Sequence, residues 1–238
     1  MPKSAKAYIS LVSVVGLVAV AIPFLDPPWT LDPLRYGTYF VLSLLAASLK
    51  LRLPGLTGTM SLSFVFVLLG ISELTLAETM LMACAGAIVQ CLWRPARRPA
   101  ALQVMFSVAA VAISLTLAYH CGQLVQSRIQ AGPIAIVLAV VTCVYFLSNS
   151  MLVCGVLSVV KGQSFQSAWQ QCYFYAFPYY LLGGVVAGLM IASDRVLGWQ
   201  ASLSLLPVMG LSFLFYRMWL GRMELSAQLS AIRVNDRD

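Results

Sequence analysis

The chain has 238 residues, of which 61% are hydrophobic and only 10% are charged, and its mean hydropathy is +0.88. A water-soluble domain is excluded, because such domains carry roughly 25% charged residues. The net charge of +7 does not indicate nucleic-acid binding, since the basic residues are scattered between apolar segments. An outer-membrane barrel is excluded as well, because its strands alternate apolar and polar residues, whereas stretches such as LVSVVGLVAVAIPFL are apolar on every face.

Long apolar segments recur along the chain and predict an all-α, polytopic transmembrane helical bundle. Eight segments are expected, and they are Tyr8–Leu25, Tyr36–Leu51, Met60–Ile71, Leu76–Trp93, Ala101–Gly122, Ile134–Val160, Ser167–Met190 and Ala201–Leu220. The transmembrane domain is predicted to cover residues 1–220. Residues 221–238 are predicted to form a cytoplasmic C-terminal helix or tail.

The third predicted segment is unusually short. As a helix, the twelve residues Met60–Ile71 would cover about 18 Å, whereas the hydrocarbon core of a bilayer is roughly 30 Å thick. A single helix over Met60–Trp93 would be too long, and Gly70 with the Ser72–Glu73 pair interrupts it. The sequence therefore predicts a hairpin with its tip near Glu73, whose first arm is tilted, extended at its start, or re-entrant.

Basic residues predict the orientation of the bundle. With the N-terminus in the cytoplasm, 12 of the 15 Lys and Arg residues lie on the cytoplasmic side. The three predicted outside are Arg35, Arg128 and Arg195. The acidic residues predicted outside are Asp26, Asp32, Glu73, Glu78 and Asp194. This predicts a protein of the bacterial cytoplasmic (inner) membrane with both termini cytoplasmic. As an alternative, the first apolar stretch and its preceding lysines resemble a secretory signal peptide.

Polar residues inside the membrane are the first candidates for a functional site, because each of them needs a hydrogen-bonding partner there. Asn149 lies near the middle of the sixth segment, and its amide requires partners from another helix. The seventh segment offers tyrosines around Pro178, which removes a backbone hydrogen bond and predicts a kink. The ligand-binding residues predicted on these two helices are Asn149, Tyr175, Tyr179 and Tyr180. The alternative is that Asn149 bonds across a helix interface for packing alone.

Glu78 and His120 complete the predicted ligand-binding set. Glu78 would contact a ligand or a proton, pair with Arg128 or His120, or cap a helix at the solvent. His120 lies near the outer end of the fifth segment, where the alternative is a hydrogen bond at the membrane interface. Three arginines that follow the fourth segment are predicted to contact lipid headgroups, unless they serve only to orient the protein, and they are Arg94, Arg97 and Arg98.

Catalytic and metal-binding motifs are not found in the sequence. It contains no GxSxG, no HExxH and no P-loop, so we expect no enzymatic activity and no cofactor. The six cysteines lie within or at the ends of apolar segments without a CxxC pair, and the chain has one histidine. Neither a metal site nor a disulfide framework is therefore expected.

Three stretches of the sequence carry a resemblance to a known family. They are LPGLTGTMSLSFVFVLLGI (Leu53–Ile71), LAETMLMACAGAIVQCLW (Leu76–Trp93) and FPYYLLGG (Phe177–Gly184). Together they resemble the N-terminal multi-helix membrane sensor domain of bacterial signalling proteins that carry HD-GYP or GGDEF domains. The resemblance implies a sensory, ligand-binding module, and this chain ends where the cyclic-di-GMP domain would follow. The plan is also similar to that of the substrate-binding membrane subunits of vitamin-uptake transporters, which is the alternative function.

The end of the chain is predicted to carry the output of such a module. Helix-forming residues run unbroken from Leu211 through Ile232, and four apolar residues step by sevens: Leu211, Met218, Leu225 and Ile232. Gly221 and Gln228 occupy the companion positions, so a solvated helix end is the alternative. The expected partners are membrane lipid, an unidentified small molecule or lipid as ligand, and either a second copy of the chain or a cytoplasmic signalling protein.

Overall fold

The computed structural model describes residues 3–25, 32–52, 59–95, 99–128, 134–162 and 164–235, without the side chains of residues 52, 59, 161, 171–175 and 224–235. The helices are α1 (Lys3–Ala21), α2 (Pro33–Ser48), α3 (Ser63–Glu73), α4 (Leu76–Leu92), α5 (Ala101–Arg128), α6 (Ile134–Lys161), α7 (Phe165–Leu197), α8 (Trp199–Ser202) and α9 (Leu206–Asn235). Short 3-10 turns follow α1 and α8, at Ile22–Phe24 and Leu203–Leu205. The predicted all-α class is confirmed.

Among the described residues, five helical stretches are long and apolar enough to cross a membrane. They are Lys3–Phe24, Ala101–Arg128, Ile134–Val160, Ala176–Leu197 and Trp199–Met223. The chain is therefore a helical membrane protein. The helices α2, α3 and α4 have 16, 11 and 17 residues, which is fewer than the roughly 20 residues that a straight span needs. The finer expectation of eight membrane segments stays a prediction.

The short helix α3 lies in the centre of the protein. Every residue from Phe64 to Ile71 is buried, and α3 packs against α2, α4 and α7. Neighbouring helices surround α3, which explains why it is apolar on all faces although it is too short for a span. The turn between α3 and α4 falls at Leu74 and Thr75, next to the tip predicted at Glu73.

A small antiparallel hairpin, which the sequence did not predict, leads into α3. Strand β1 (Lys50–Arg52) pairs with β2 (Thr59–Ser61), and Leu51 lies opposite Met60. Leu51 and Met60 are buried. The hairpin therefore contacts the protein interior through these two side chains, whereas Lys50 is partly exposed.

Small residues set the distance between α1 and its neighbours. A Cβ atom on Gly16 would collide with Ala109 of α5, and one on Gly155 of α6 would collide with the hydroxyl of Tyr8. That hydroxyl donates a hydrogen bond to the backbone carbonyl of Leu152 at 3.2 Å. The helix α1 is thus fitted against α5 and α6 by close contacts that leave no room for larger side chains.

The GxxxG motif of α7 is used inside the chain. A Cβ atom on Gly184 would lie 3.0 Å from Thr142 Oγ1, and one on Gly188 would lie 3.1 Å from a methyl carbon of Leu138. Thr142 and Leu138 are one turn apart on α6. The small residues therefore permit the close approach of α6 and α7, and the motif gives no argument for a contact between two copies of the protein.

The last helix, α9, packs on the bundle through one face. Met209, Phe213, Tyr216 and Leu220 are buried, at a spacing of three or four residues. Leu211 and Met218, which begin the predicted heptad stripe, are 66% and 61% exposed and face away from the bundle. The other two stripe residues, Leu225 and Ile232, have side chains outside the described part of the chain.

Candidate functional site

Asn149 of α6 and Tyr180 of α7 meet across the interface of their helices. The Asn149 amide nitrogen, Nδ2, donates a hydrogen bond to the Tyr180 hydroxyl at 3.2 Å. The sequence predicted that Asn149 needs a partner from the tyrosines of the next helix, and Tyr180 is that partner. The contact alone is compatible with a ligand site and with packing, because the same bond stabilises the interface in both cases.

Aromatic rings surround the Tyr180 side chain. Its ring centroid lies 4.4 Å from that of Phe64, 5.2 Å from that of Phe146 and 6.2 Å from that of Tyr145. These residues come from α3 and α6, and all of them are buried. The rings pack against one another and form an apolar cluster, in which the tyrosine hydroxyls and the Asn149 amide are the polar groups.

Tyr179, the neighbour of Tyr180, faces α9. Its ring centroid is 5.3 Å from that of Tyr216, and the ring of Tyr216 in turn lies 5.4 Å from that of Trp219. Tyr179 is 4% exposed, and its hydroxyl has no hydrogen-bond partner in the described part of the chain. We call Asn149, Tyr179, Tyr180 and Tyr216 the tyrosine site.

The proline in α7 does not end the helix. Pro178 lies inside α7, which continues from Phe165 to Leu197. Tyr175, the remaining tyrosine that the sequence predicted for the site, has a side chain outside the described part of the chain. The prediction for Tyr175 therefore stays open, whereas Tyr180 contacts Asn149 and Tyr179 contacts Tyr216 of α9.

Glu78 caps a helix. Thr75 and Glu78 form a capping box at the start of α4, where the carboxylate accepts hydrogen bonds from the Thr75 backbone at 3.0 Å and from its hydroxyl at 2.8 Å. Glu78 is 1% exposed, so the cap is buried rather than solvated. A capping box satisfies backbone donors that the helix itself leaves free, which gives this acidic residue a structural reason to be there.

His120 and Arg94 contact residues outside the tyrosine site. The ring of His120 is exposed and stands edge-on to that of Tyr119, with 5.8 Å between their centroids. Arg94 is exposed, and its guanidinium lies 5.8 Å from the centre of the Trp93 ring. Arg97 and Arg98 lie outside the described residues. Contact of these arginines with lipid headgroups stays a prediction.

Three charged side chains, whose contact the sequence did not predict, meet where α2 begins and where α3 and α7 end. Arg35 Nη2 donates hydrogen bonds to Glu73 Oε2 and, at 2.5 Å, to Asp194 Oδ2. We call these three residues the ionic cluster. The sequence placed all three on the outer side, and Arg35 was one of three basic residues there. That charge pattern was the available signal, but the partners are 38 and 159 positions from Arg35.

The described residues include neither a cluster of potential metal ligands nor a disulfide bond. Within these residues, no three His, Cys, Asp or Glu side chains converge as metal ligands. Cys84, Cys91, Cys121, Cys143 and Cys154 are free thiols. The two polar groups described above, the tyrosine site and the ionic cluster, are therefore the candidates from which a function can be argued.

The fold and these sites define a class, the helical membrane proteins with a buried polar site between helices. Comparison with protein-family models, curated proteins and solved structures yields no match. The resemblance to bacterial membrane sensor domains accordingly stays a prediction from the sequence. The tyrosine site is connected to α9 by the contact between Tyr179 and Tyr216.

Proposed function

We propose that this protein is a membrane-embedded sensory, ligand-binding module of a bacterial signalling system, without catalysis of its own. The observation that carries the proposal is the contact between Tyr179 and Tyr216, which joins the tyrosine site to α9. The buried Tyr179 hydroxyl has no hydrogen-bond partner in the described part of the chain. A buried group of this kind costs about 1–3 kcal/mol, so a ligand that accepts or donates a hydrogen bond there removes that cost.

The surroundings of the site favour a small, largely apolar ligand with one polar group. Phe64, Phe146 and Tyr180 offer ring faces and edges, against which aromatic or aliphatic groups pack well. The Tyr179 hydroxyl and the Asn149 amide offer hydrogen bonds on α7 and α6. A lipid or a small organic molecule has this chemistry, whereas a charged metabolite lacks a counter-charge among these residues.

Binding would be transmitted through α9. Tyr216 lies on the face of α9 that packs against the bundle, and α9 continues from the last residue of its apolar span, Met223, to Asn235. A ligand that moves the Tyr179 ring changes the surface on which Tyr216 rests. A ligand shifts a conformational equilibrium only if it binds the two conformations with unequal affinity. The ligand must therefore bind more tightly to one position of Tyr216 against Tyr179 than to the other.

The hydroxyl of Tyr179 provides the sharpest test of the site. We expect Tyr179→Phe to lose the small molecule or lipid that the wild type retains through purification. Its free energy of unfolding should exceed that of the ligand-free wild type by about 1 kcal/mol, because the variant no longer buries an unpartnered hydroxyl. Native mass spectrometry of proteins purified side by side measures the first effect, and thermal unfolding in the same detergent measures the second.

Two further variants make that test specific. Asn149→Leu should also lose the retained molecule and still fold, because a hydrogen bond between membrane helices is worth only about 0.6–2 kcal/mol. Tyr119→Phe, on α5 beside His120, should retain it as the wild type does. Retention of the same molecule by Tyr179→Phe and Asn149→Leu alike would disprove a ligand site at these residues.

Removal of the end of α9 separates binding from output. Truncation after Arg222 should leave membrane insertion and the retained molecule unchanged, but abolish dimerisation or any signalling readout, because the helix beyond the apolar span is gone. Light scattering of the detergent-solubilised protein measures the oligomeric state, and native mass spectrometry measures the retained molecule. If the truncated protein has the oligomeric state and readout of the full chain, α9 is not the output element.

A transporter subunit that binds a vitamin-like substrate is the alternative function. One observation favours it: α3 is a half-length helix in the centre of the bundle, and the non-helical backbone of β1 and β2 leads into it. Transporters build substrate sites from such interrupted helices. In that case the ligand would exchange across the membrane, and vesicles containing the protein and its energising partner would accumulate it.

The proposed orientation in the membrane follows from the distribution of Lys and Arg. In this orientation both termini are cytoplasmic and the ionic cluster lies on the outer side. The orientation also places Arg94 on the cytoplasmic side, where anionic headgroups attract it. A cysteine at Val196, which is 81% exposed, should then react with a membrane-impermeant reagent in intact cells, and one at Ser4 should not. The opposite pattern would reverse the scheme.

A further inference from the structure

The ionic cluster holds two carboxylates against one nitrogen of a single guanidinium. Glu73 Oε2 and Asp194 Oδ2 both accept hydrogen bonds from Arg35 Nη2. The side chains of Arg35, Glu73 and Asp194 are only 18%, 14% and 12% exposed. With both acids ionised, the cluster carries one uncompensated negative charge in a largely buried position. Two carboxylates that share a site in this way cannot both ionise freely, so one of them tends to keep a proton.

Polar atoms beside the cluster are left without partners. Tyr39 lies below the guanidinium, which is 5.7 Å from the centre of its ring, and Tyr39 is 0% exposed. Neither the Tyr39 hydroxyl nor Arg35 Nε has a hydrogen-bond partner in the part of the chain that the structure describes. The Tyr39 ring therefore borders the cluster and contributes a neutral polar group rather than a counter-charge.

Further ionisable groups lie near the cluster in the described part of the chain. They are Asp32, Tyr36 and Tyr39 from α2 and its N-terminus, Glu78 from α4, and Arg195 from α7. Asp32 caps α2 by accepting a hydrogen bond from the Arg35 backbone at 3.0 Å, and it adds negative charge. Glu78 is held in its capping box by Thr75. Arg195, the additional cation here, is exposed, so solvent screens it.

We propose that the ionic cluster is a proton-binding site, in which Glu73, hydrogen-bonded to Arg35 next to Asp194, takes up one proton. Uptake breaks one O–H bond of a hydronium ion, forms one O–H bond on a Glu73 carboxylate oxygen and leaves a water molecule. The cluster then becomes neutral, because Arg35 balances the remaining carboxylate. The ends of α2, α3 and α7 are held together most tightly in this neutral form, and loss of the proton introduces repulsion between α3 and α7. The inference is independent of the tyrosine site.

The acidity of Glu73 agrees with this assignment. Glu73 lies outside the five candidate spans, and its pKa is raised above the ordinary value of 4.5, first by burial and also by the neighbouring Asp194, although Arg35 opposes the rise. A carboxyl whose pKa is raised by folding stabilises the folded state below its ordinary pKa. That stability is lost as the pH rises through the raised value.

Infrared spectroscopy of the purified wild-type protein tests the proposal directly. The C=O band of a protonated carboxylic acid should be present well above pH 4.5 and disappear as the pH is raised. At a pH at which the wild type shows the band, the band should be absent from both Glu73→Gln and Asp194→Asn. Either change leaves a single carboxylate, which pairs with Arg35. Absence of the band from the wild type above that pH would overturn the proposal, and so would its loss in only one variant.

Thermal unfolding supplies a second readout with a matched control. The melting temperature of the wild type should fall by about 2–4 °C as the pH rises from about 5 to 8. This fall should be absent in Glu73→Gln, which imitates the protonated form and therefore folds. Arg195→Gln, which changes an exposed charge next to the cluster, should retain the fall. A fall in Glu73→Gln equal to that in the wild type would contradict the proposal.

Discussion

Replacement of Arg35 by methionine should destabilise the protein by about 3 kcal/mol at neutral pH, the largest effect that we expect from a single charged residue. The change leaves Glu73 and Asp194 largely buried without their shared cation. Removing one partner of a buried ion pair typically costs about 3–5 kcal/mol, because the remaining charge is uncompensated. Unfolding of the purified variant in detergent, followed by circular dichroism against temperature, measures the loss.

The same cluster offers an internal rescue. In a triple variant that combines Arg35→Met with Glu73→Gln and Asp194→Asn, the buried charges are removed together, so most of the lost stability should return. Arg195→Met, which removes an exposed charge of the same kind, should change stability by no more than about 0.5 kcal/mol. If the triple variant is as unstable as Arg35→Met alone, packing of the Arg35 side chain rather than its charge explains the loss.

A methyl group on Gly16 should destabilise the protein by about 1–3 kcal/mol, although alanine is the better helix former. The new Cβ atom would collide with Ala109, so α1 has to move away from α5. Both helices are candidate spans, and the contact lies between them. Thermal unfolding of Gly16→Ala in detergent measures the effect, and a disulfide between cysteines placed on α1 and α5 would report the displacement.

Gly210 provides the matched control for this substitution. It lies on α9, and a Cβ atom there would meet nothing within 4 Å. Gly210→Ala should therefore leave the protein equally stable or stabilise it by up to about 1 kcal/mol through helix propensity alone. If both alanine variants are stabilised alike, the approach of α1 to α5 is not limited by Gly16.

The tyrosine site could be predicted in part because Asn149 and Tyr180 lie on the consecutive helices α6 and α7. A polar amide in an apolar segment demands a partner, and the neighbouring helix supplies Tyr180 for Asn149. The direction in which Tyr179 points could not be predicted, since it depends on where α9 packs. Its contact with Tyr216 joins α7 to α9 across 37 positions of sequence, and no local pattern carries that information.

The structure also gives contacts to residues whose role the sequence left open. Glu78, for which the sequence offered a ligand or proton contact, an ion pair or a helix cap at the solvent, forms a buried capping box with Thr75. The glycines of the GxxxG motif, which small-residue patterns associate with helix contacts of any kind, meet Thr142 and Leu138 of the same chain. The partner of Glu78 is local, since Thr75 lies three residues before it, whereas the packing of α6 against α7 decided which residues meet the two glycines.

By itself, the sequence determined that this is a helical membrane protein and that a short hairpin turns near Glu73, because hydropathy, helix-breaking residues and charge act locally along a chain. Only the tertiary structure decided that α3 lies in the centre and that Arg35 joins Glu73 to Asp194. The physical reason is that a buried charge needs a counter-charge in space rather than in sequence, and its position follows from how all the helices pack.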